Sequence, residues 1–314
     1  MNPQPPPAPY TGLGRLKLFL ALSRTPHGLL DLATPVVAAI FWLGGLPSGP
    51  VMALGVVAAF AGYTAVYALN DLVDYRSDRE KLRRSDPERQ AGYLDAALVR
   101  HPLAQGLLTI TEALAWTGFW TLISLVAAWH LNPVCALILV AVCVLEGIYC
   151  LLLRVSQLRA LISGMVKTLG GLAAVFAVDP HPELGLLLLL FLWLFFWEIG
   201  GQNVPADWYD LKEDTALGAR TIPVYYGVKG ASTIALICLV VSVVIGGIFL
   251  GLAPLTPRWL TMPGALIAGF GLLLRPGWCL YQKRRREEAS ALFNRASYYP
   301  LSLLVIVGLA LLMR

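Results

Sequence analysis

Charge is what this 314-residue chain has least of: Asp, Glu, Lys and Arg together make up 14%, against about 25% in a soluble globular domain. With 57% hydrophobic residues and a mean hydropathy of +0.68, that shortage excludes an ordinary soluble fold. Cysteine is also scarce. Cys135, Cys143, Cys150, Cys238 and Cys279 lie in or beside apolar stretches, with no CxxC pair and no histidine at metal-ligand spacing. They read as small packing residues, which excludes a disulfide framework and a zinc site. A cleavable signal peptide is not evident. Arg15, Lys17 and Arg24 surround only a short apolar stretch, after a proline-rich start (Pro3, Pro5, Pro6, Pro7, Pro9) that reads as disordered. The net charge of +5 does not gather on a soluble basic face, so nucleic acid is excluded as a partner.

Long apolar runs, by contrast, are plentiful. Crossing a bilayer takes about 20 apolar residues per helix. Runs near 28–47, 51–70, 108–129, 133–153, 160–178, 184–202, 231–252, 259–275 and 296–313 meet that length. Helix is the expected form, because lipid satisfies no free backbone group and the runs are too long for barrel strands. The fold class expected is therefore an all-α bundle of nine transmembrane helices spanning 28–314, preceded by a cytoplasmic segment 1–27. Of the 24 Lys and Arg, 21 fall at one end of these spans, Lys167 lies inside the fifth, and only Arg258 and Arg314 fall at the other end. The positive-inside rule then places the N-terminus and the basic end in the cytoplasm, with the run Lys283-Arg284-Arg285-Arg286 as a topology anchor against membrane lipid. A bacterial or archaeal plasma membrane is the expected location.

Two acidic clusters stand out against this background. The second run ends in Asn70-Asp71-Leu72-Val73-Asp74-Tyr75-Arg76-Ser77-Asp78, and the sixth in Asp207-Trp208-Tyr209-Asp210-Leu211-Lys212-Glu213-Asp214. Both space their aspartates at i, i+3 and i+7, which predicts one continuous helical face for each set. Three stacked like charges repel, so helix stability does not account for them. A hard divalent cation does, since Mg²⁺ takes carboxylate oxygens and is commonly shared with substrate phosphate. The candidate metal ligands are Asp71, Asp74, Asp78, Asp207, Asp210 and Asp214, with Asp74, Asp78, Asp210 and Asp214 the catalytic candidates. Four spans separate one cluster from the next, which suggests two similar half-bundles facing across a cavity.

At these residues the chain resembles the UbiA superfamily of intramembrane prenyltransferases. Asn70, Asp71, Asp74 and Asp78 fit that family's NDxxDxxxD pattern. Asp207, Asp210 and Asp214, followed by Gly218, Arg220, Thr221, Pro223 and Val224, resemble its second motif. The sequence departs at Ala206, where the family often has asparagine, and at His101-Pro102, in place of Arg-Pro. The charged loop 79–102 is also longer than usual. The resemblance implies Mg²⁺-dependent transfer from a polyprenyl diphosphate to a hydrophobic acceptor, most commonly an aromatic quinone precursor. It further implies diphosphate contacts from Asn70, Arg154 and Arg220, and the long loop is expected to close over the donor. Tetrapyrrole prenylation, glycerol-ether lipid synthesis and phosphoribosyl transfer to a polyprenyl phosphate are rival reactions. A cation-gated transporter is the rival class, but it would place carboxylates near the bilayer midplane rather than at span ends.

Several polar residues fall elsewhere. Glu146 and Glu198 lie inside spans, where ionisable groups are costly, and are expected to orient or deprotonate an acceptor hydroxyl, or to pair with Lys167 or a neighbouring amide. His27, Trp208, Tyr209, Tyr298 and Tyr299 read as interfacial residues. Gln202 and Asn203 are polar enough to face a cavity, without an assigned role.

Overall fold

The computed structural model describes residues 11–83 and 98–313. Most of the charged 79–102 loop, residues 84–97, lies outside them, and with it the expected closure over the donor. Among the described residues the chain is helical, with nine helices long and apolar enough to cross a membrane: Thr25–Leu43, Gly49–Val73, Ile110–Leu131, Pro133–Leu151, Arg159–Val178, Leu184–Tyr209, Ile222–Leu252, Arg258–Lys283 and Arg286–Leu312. They are spans one to nine. The start signals are local. Thr109 and Glu112 form a capping box on span three, Asn132 caps span four ahead of Pro133, and Glu183 accepts from the Gly185 and Leu186 amides on span six. Those backbone bonds hold the Glu183 carboxyl below its usual range.

Six of the nine spans are longer than the apolar runs that announced them, and the first begins earlier. Span one starts at Thr25, so His27 and Asp31 are inside it and buried. Span eight continues through Arg275-Pro276-Gly277 to Lys283, because a π-helical stretch, Phe270–Leu274, absorbs the proline's missing N–H. Span seven begins at Ile222, with a break at Gly227, whose φ of 69° only glycine adopts without strain. Trp208, Tyr209 and Tyr299 are buried core residues rather than interfacial anchors, while Tyr298 is exposed.

Span two packs on span three, four on five and six on seven; span one packs against spans five and nine. The main apolar core, including Phe41, Trp193, Phe249, Leu239 and Leu303, ties span one to spans six to nine. Helix α1 (Leu13–Leu22) precedes the spans and buries Leu18 and Leu22 against Ala68, Leu103, Leu108 and Ala113. The two halves are not equivalent around the central cavity. Spans one to six line it, whereas spans seven to nine contribute only Phe293.

Candidate active site

The two acidic motifs are built alike, and neither is a continuous helical face. Span two ends at Val73, Asp74 sits near φ −82°, ψ 3°, and α2 (Tyr75–Leu82) restarts beyond it. Span six ends at Tyr209, Asp210 sits near φ −93°, ψ 10°, and α3 (Leu211–Leu217) follows. Each motif therefore has one aspartate in the last turn of a span, one at the break and one in the first turn of a short helix. The main chain stays bonded across the break: the Asp74 amide donates to Asn70 O (2.9 Å) and the Asp78 amide to Asp74 O (2.8 Å). In the second motif the Asp210 amide donates to Ala206 O (3.3 Å) and that of Asp214 to Asp210 O (2.9 Å). Breaking at the middle aspartate fans out charges that a straight helix would stack, and α2 and α3 pack against each other.

Cations interleave with these carboxylates. Arg24 donates to Asp71 (3.2 Å) and to Asn70 Oδ1 (3.0 Å). His101 Nδ1 lies 2.9 Å from Asp78 and 3.4 Å from Asp71. Arg100 reaches Asp210 at 2.6 Å, Lys81 lies 2.7 Å from Asp214, and Arg159 donates to Asp207 at 3.3 Å. The Arg159 guanidinium also sits 3.8 Å over the Tyr149 ring. Lys81 thus ties the first motif's short helix to the second motif's.

Burial and pairing pull the acids in different directions. Burial pushes Asp78 and Asp210 up, but His101 in one case and Arg100 in the other hold them below the usual carboxylate range. Asp74, raised by burial and by the Asp78 charge, and Asp214, raised by burial, stay above it. Burial works against the charge of Lys81, yet Asp214, Asp210 and Asp78 hold its ammonium well above its usual value. For His101 burial likewise lowers the imidazole, and Asp78 and Asp71 more than offset it, raising it to about 9.

The donor set fits a hard divalent cation. Asp207 Oδ2 and Asp210 Oδ1 are buried and meet no hydrogen-bond donor among the described residues. Ligand atoms of Asp71, Asp78 and His101 lie within 4.8 Å of one another. Carboxylate oxygens left open in a dry pocket are what Mg²⁺ coordinates.

Beneath the motifs lies a cavity of about 360 Å³. Its walls run from Asp78 and Arg100 past Tyr67 and Tyr63 to apolar side chains at the other end of the bundle, among them Val51, Leu131 and Val178. Of the sequence-derived candidates, Asn70, Asp71, Asp74, Asp78, Asp207 and Asp210 line it, and Asp214 is buried against Lys81. Arg154 and Arg220 are not among the lining residues. Arg154 is half exposed and pairs with Glu80, while Arg220 is exposed and its amide donates to Leu153 O at 2.7 Å. Arg24, Lys81, Arg100, His101 and Arg159 occupy the place expected for those two. Sequence reading had counted Arg24 and Arg159 among the topology anchors. Their signal was position: each stands at the boundary of an apolar run, near enough to be drawn inside. Lys167 pairs with Asp31 and Tyr67. Asn70 Nδ2 donates to Glu146 at 2.6 Å.

Comparison with known proteins agrees with this architecture. The chain is 27% identical to the digeranylgeranylglyceryl phosphate synthase of Thermococcus kodakarensis over 228 residues, which cover 73% of this chain and 76% of that protein. It shares its fold with a UbiA homologue from Aeropyrum pernix in its apo form, at TM-score 0.68 and 20% identity, covering 91% of this chain and 97% of the other. A UbiA homologue from Archaeoglobus fulgidus bound to DMAPP and Mg²⁺ superposes at TM-score 0.67 and 15% identity, covering 92% and 99%. The sequence model of the UbiA prenyltransferase family matches residues 32–299, a stretch that holds both acidic motifs and nearly all of the nine-span bundle. On that match the chain belongs to the UbiA prenyltransferase family, and it is an integral membrane prenyltransferase.

Proposed function

We propose that the protein transfers a prenyl group from a polyprenyl diphosphate to a lipid-soluble acceptor, with Mg²⁺ held by Asp71, Asp74 and Asp78 on one motif and Asp207, Asp210 and Asp214 on the other. The observation that carries this is the pair of broken acidic turns, the second with buried carboxylate oxygens that meet no hydrogen-bond donor among the described residues, at the mouth of an apolar cavity that runs the length of the bundle. Bound Mg²⁺ supplies positive charge that neutralises the departing diphosphate. Arg24, Lys81, Arg100 and Arg159 add fixed positive charge around the same space, and each is placed to trade its carboxylate for a phosphate oxygen. Asn70 holds Arg24 toward that space. Tyr63, Tyr67 and Tyr149 line the same cavity. The apolar walls exclude water and seat the isoprenoid chain. The solved homologue with DMAPP and Mg²⁺ supports donor and metal together.

For the acceptor, the family's commonest substrate gives an aromatic quinone precursor. A second reading, the hydroxyl of a glycerol-type lipid, is favoured by the 27% identity to a digeranylgeranylglyceryl phosphate synthase. The basic end of the bundle, and so the motif end, faces the cytoplasm on the positive-inside rule. The test is purified protein with labelled prenyl diphosphates of several lengths, with and without Mg²⁺. Mg²⁺-dependent release of diphosphate coupled to a prenylated product is expected. Release that ignores chelator would refute the proposal.

A further inference from the structure

The two acidic motifs differ in one donor atom, a nitrogen that only the first has beside it. His101 Nδ1 lies 2.9 Å from an Asp78 oxygen and 3.4 Å from one of Asp71, and ligand atoms of all three lie within 4.8 Å of one another. At bonds of about 2.1 Å, neighbouring ligands of an octahedral ion stand about 3 Å apart and opposite ones about 4 Å. Small side-chain movements therefore bring the three onto one centre. An ion pair alone accounts for the closeness but not for the angles, since Nδ1 is sealed from solvent and meets no partner at hydrogen-bonding angle among the described residues. The second motif has Lys81, Arg100 and Arg159 around it instead, and a guanidinium or a protonated ammonium has no lone pair to give.

The backbone holds this imidazole in place. His101 has a φ of 48°, a left-handed conformation uncommon outside glycine. Such a residue persists where its surroundings over-determine it, and here they do. The His101 carbonyl accepts from the Gln105 amide (3.1 Å), the Pro102 carbonyl from the Leu107 amide (3.0 Å), and Gln105 Nε2 donates to Arg100 O (2.7 Å). Leu103 and Leu108 are buried against Leu18 and Leu22 of helix α1, which ties the turn to the bundle. His101 is also the residue at which the sequence departs from the family's Arg-Pro.

We propose that His101 is itself a metal ligand, binding through Nδ1 beside Asp71 and Asp78, and that this mixed set accepts Mg²⁺ but prefers a first-row transition cation such as Mn²⁺ or Co²⁺. Imidazole nitrogen raises the affinity for transition ions, whereas carboxylate oxygen alone suits Mg²⁺, so the two motifs form unequal metal sites. This rests on the reading of both motifs as metal-holding given above. On binding, the Nδ1 proton is released to water, and the neutral ring carries its one proton on Nε2. Arg100 Nε stands 3.2 Å from Nε2 in the free protein and leaves that edge when its guanidinium turns to the diphosphate.

The experiment gives the detergent-solubilised full chain Mn²⁺ and a non-hydrolysable geranyl thiolodiphosphate. Electron spin-echo modulation reads the atoms bound to Mn²⁺, with histidine unlabelled or labelled with heavy nitrogen, and competition titrations compare Mn²⁺ with Mg²⁺. A histidine nitrogen on Mn²⁺ is expected, its coupling changing with the label, together with tighter binding of Mn²⁺ than of Mg²⁺. His101→Asn puts an oxygen where Nδ1 stands and suits the left-handed backbone. It should lose the nitrogen coupling and weaken Mn²⁺ binding about 10–100-fold, as other losses at metal sites do, with a smaller loss for Mg²⁺. Mn²⁺ bound in the parent without a histidine nitrogen, a coupling that survives in His101→Asn, or equal losses of Mn²⁺ and Mg²⁺ affinity would each overturn the assignment. If His101→Asn fails to fold, the labelled parent alone decides. Failure of the parent to bind either ion with the analogue would instead sink the metal-and-diphosphate reading on which the assignment stands.

Discussion

Raising the pH of the metal-free protein should loosen the first motif through a single residue, His101. Its Nδ1 stands 2.9 Å from Asp78 and 3.4 Å from Asp71, and the two carboxylates lift the imidazole from 6.5 to about 9. At 1.36 kcal/mol per pH unit, a lift of that size corresponds to about 3 kcal/mol of stability. The folded value lies above the unfolded one, so the contribution is complete below about 6.5 and is lost as pH rises through about 9. The same proton competes with Mg²⁺ for Asp71 and Asp78. Mg²⁺ affinity should therefore climb across that window, by up to about tenfold per pH unit while the competition is complete. The assay is thermal melting of chelator-treated protein in detergent from pH 6 to 10, with Mg²⁺ titrations at each pH, for the parent and His101→Gln. The parent should lose stability across the window, and the variant should start lower at pH 6 and stay flat. A variant whose stability falls in parallel with the parent's, or a parental Mg²⁺ affinity that ignores pH, would refute the assignment of charge to His101.

Three further outcomes follow from the same geometry. Asp74→Asn and Asp210→Asn should each lower the prenyl-transfer rate about 10²–10³-fold, and together cost less than the product of the two, because both act on one leaving group; single variants at parental rates would remove the two-motif mechanism. Arg159→Ala leaves Asp207 buried without its partner and should cost about 3–5 kcal/mol of stability, whereas Arg154→Ala, which breaks only a surface pair with Glu80, should cost about 1 kcal/mol or less; melting curves of the two variants decide. Cysteines placed at Lys229 and at His181, both exposed, should react with impermeant reagent from opposite sides of the membrane, the first from the cytoplasm; labelling from one side would defeat the nine-span topology.

The spans were legible in the sequence because lipid imposes a length and a composition that few other constraints imitate. The carboxylates were legible because two sets at i, i+3, i+7 are hard to explain by helix stability. What sequence could not show was which cations sit among them. Arg24, Arg159 and Arg100 stand at the same end of the bundle as Arg154 and Arg220, and the positive-inside bias dresses that whole end in basic residues. Only the fold separates a cation drawn in, such as Arg159 at 4% exposed, from one left outside. Asp31 escaped notice for a related reason. Span one was expected from residue 28 with an apolar interior, and nothing local in the sequence indicated that Lys167 and Tyr67 would close on this acid from two other spans. The breaks at Asp74 and Asp210 were hidden too, since a bend of one residue leaves helical spacing intact on either side.

Those breaks and the cations around them belong to one arrangement. Six carboxylates face five cationic groups, Arg24, Lys81, Arg100, His101 and Arg159, so the site in the absence of ligand is close to neutral and its acids are held apart rather than left to repel. Neither half of the substrate complex suits such a site alone. A diphosphate arriving by itself meets carboxylates that have no counter-charge to spare, and Mg²⁺ arriving by itself must displace cations that have nowhere to go. With both bound, as proposed above, the carboxylates would hold the metal and the guanidinium and ammonium groups would turn to the phosphate oxygens, an exchange of partners that would cost little reorganisation of the backbone. Binding of metal and donor would then be mutually reinforcing, each raising the affinity of the other by the same factor by linkage. The breaks at Asp74 and Asp210 that set these carboxylates stand at matching places in the two motifs.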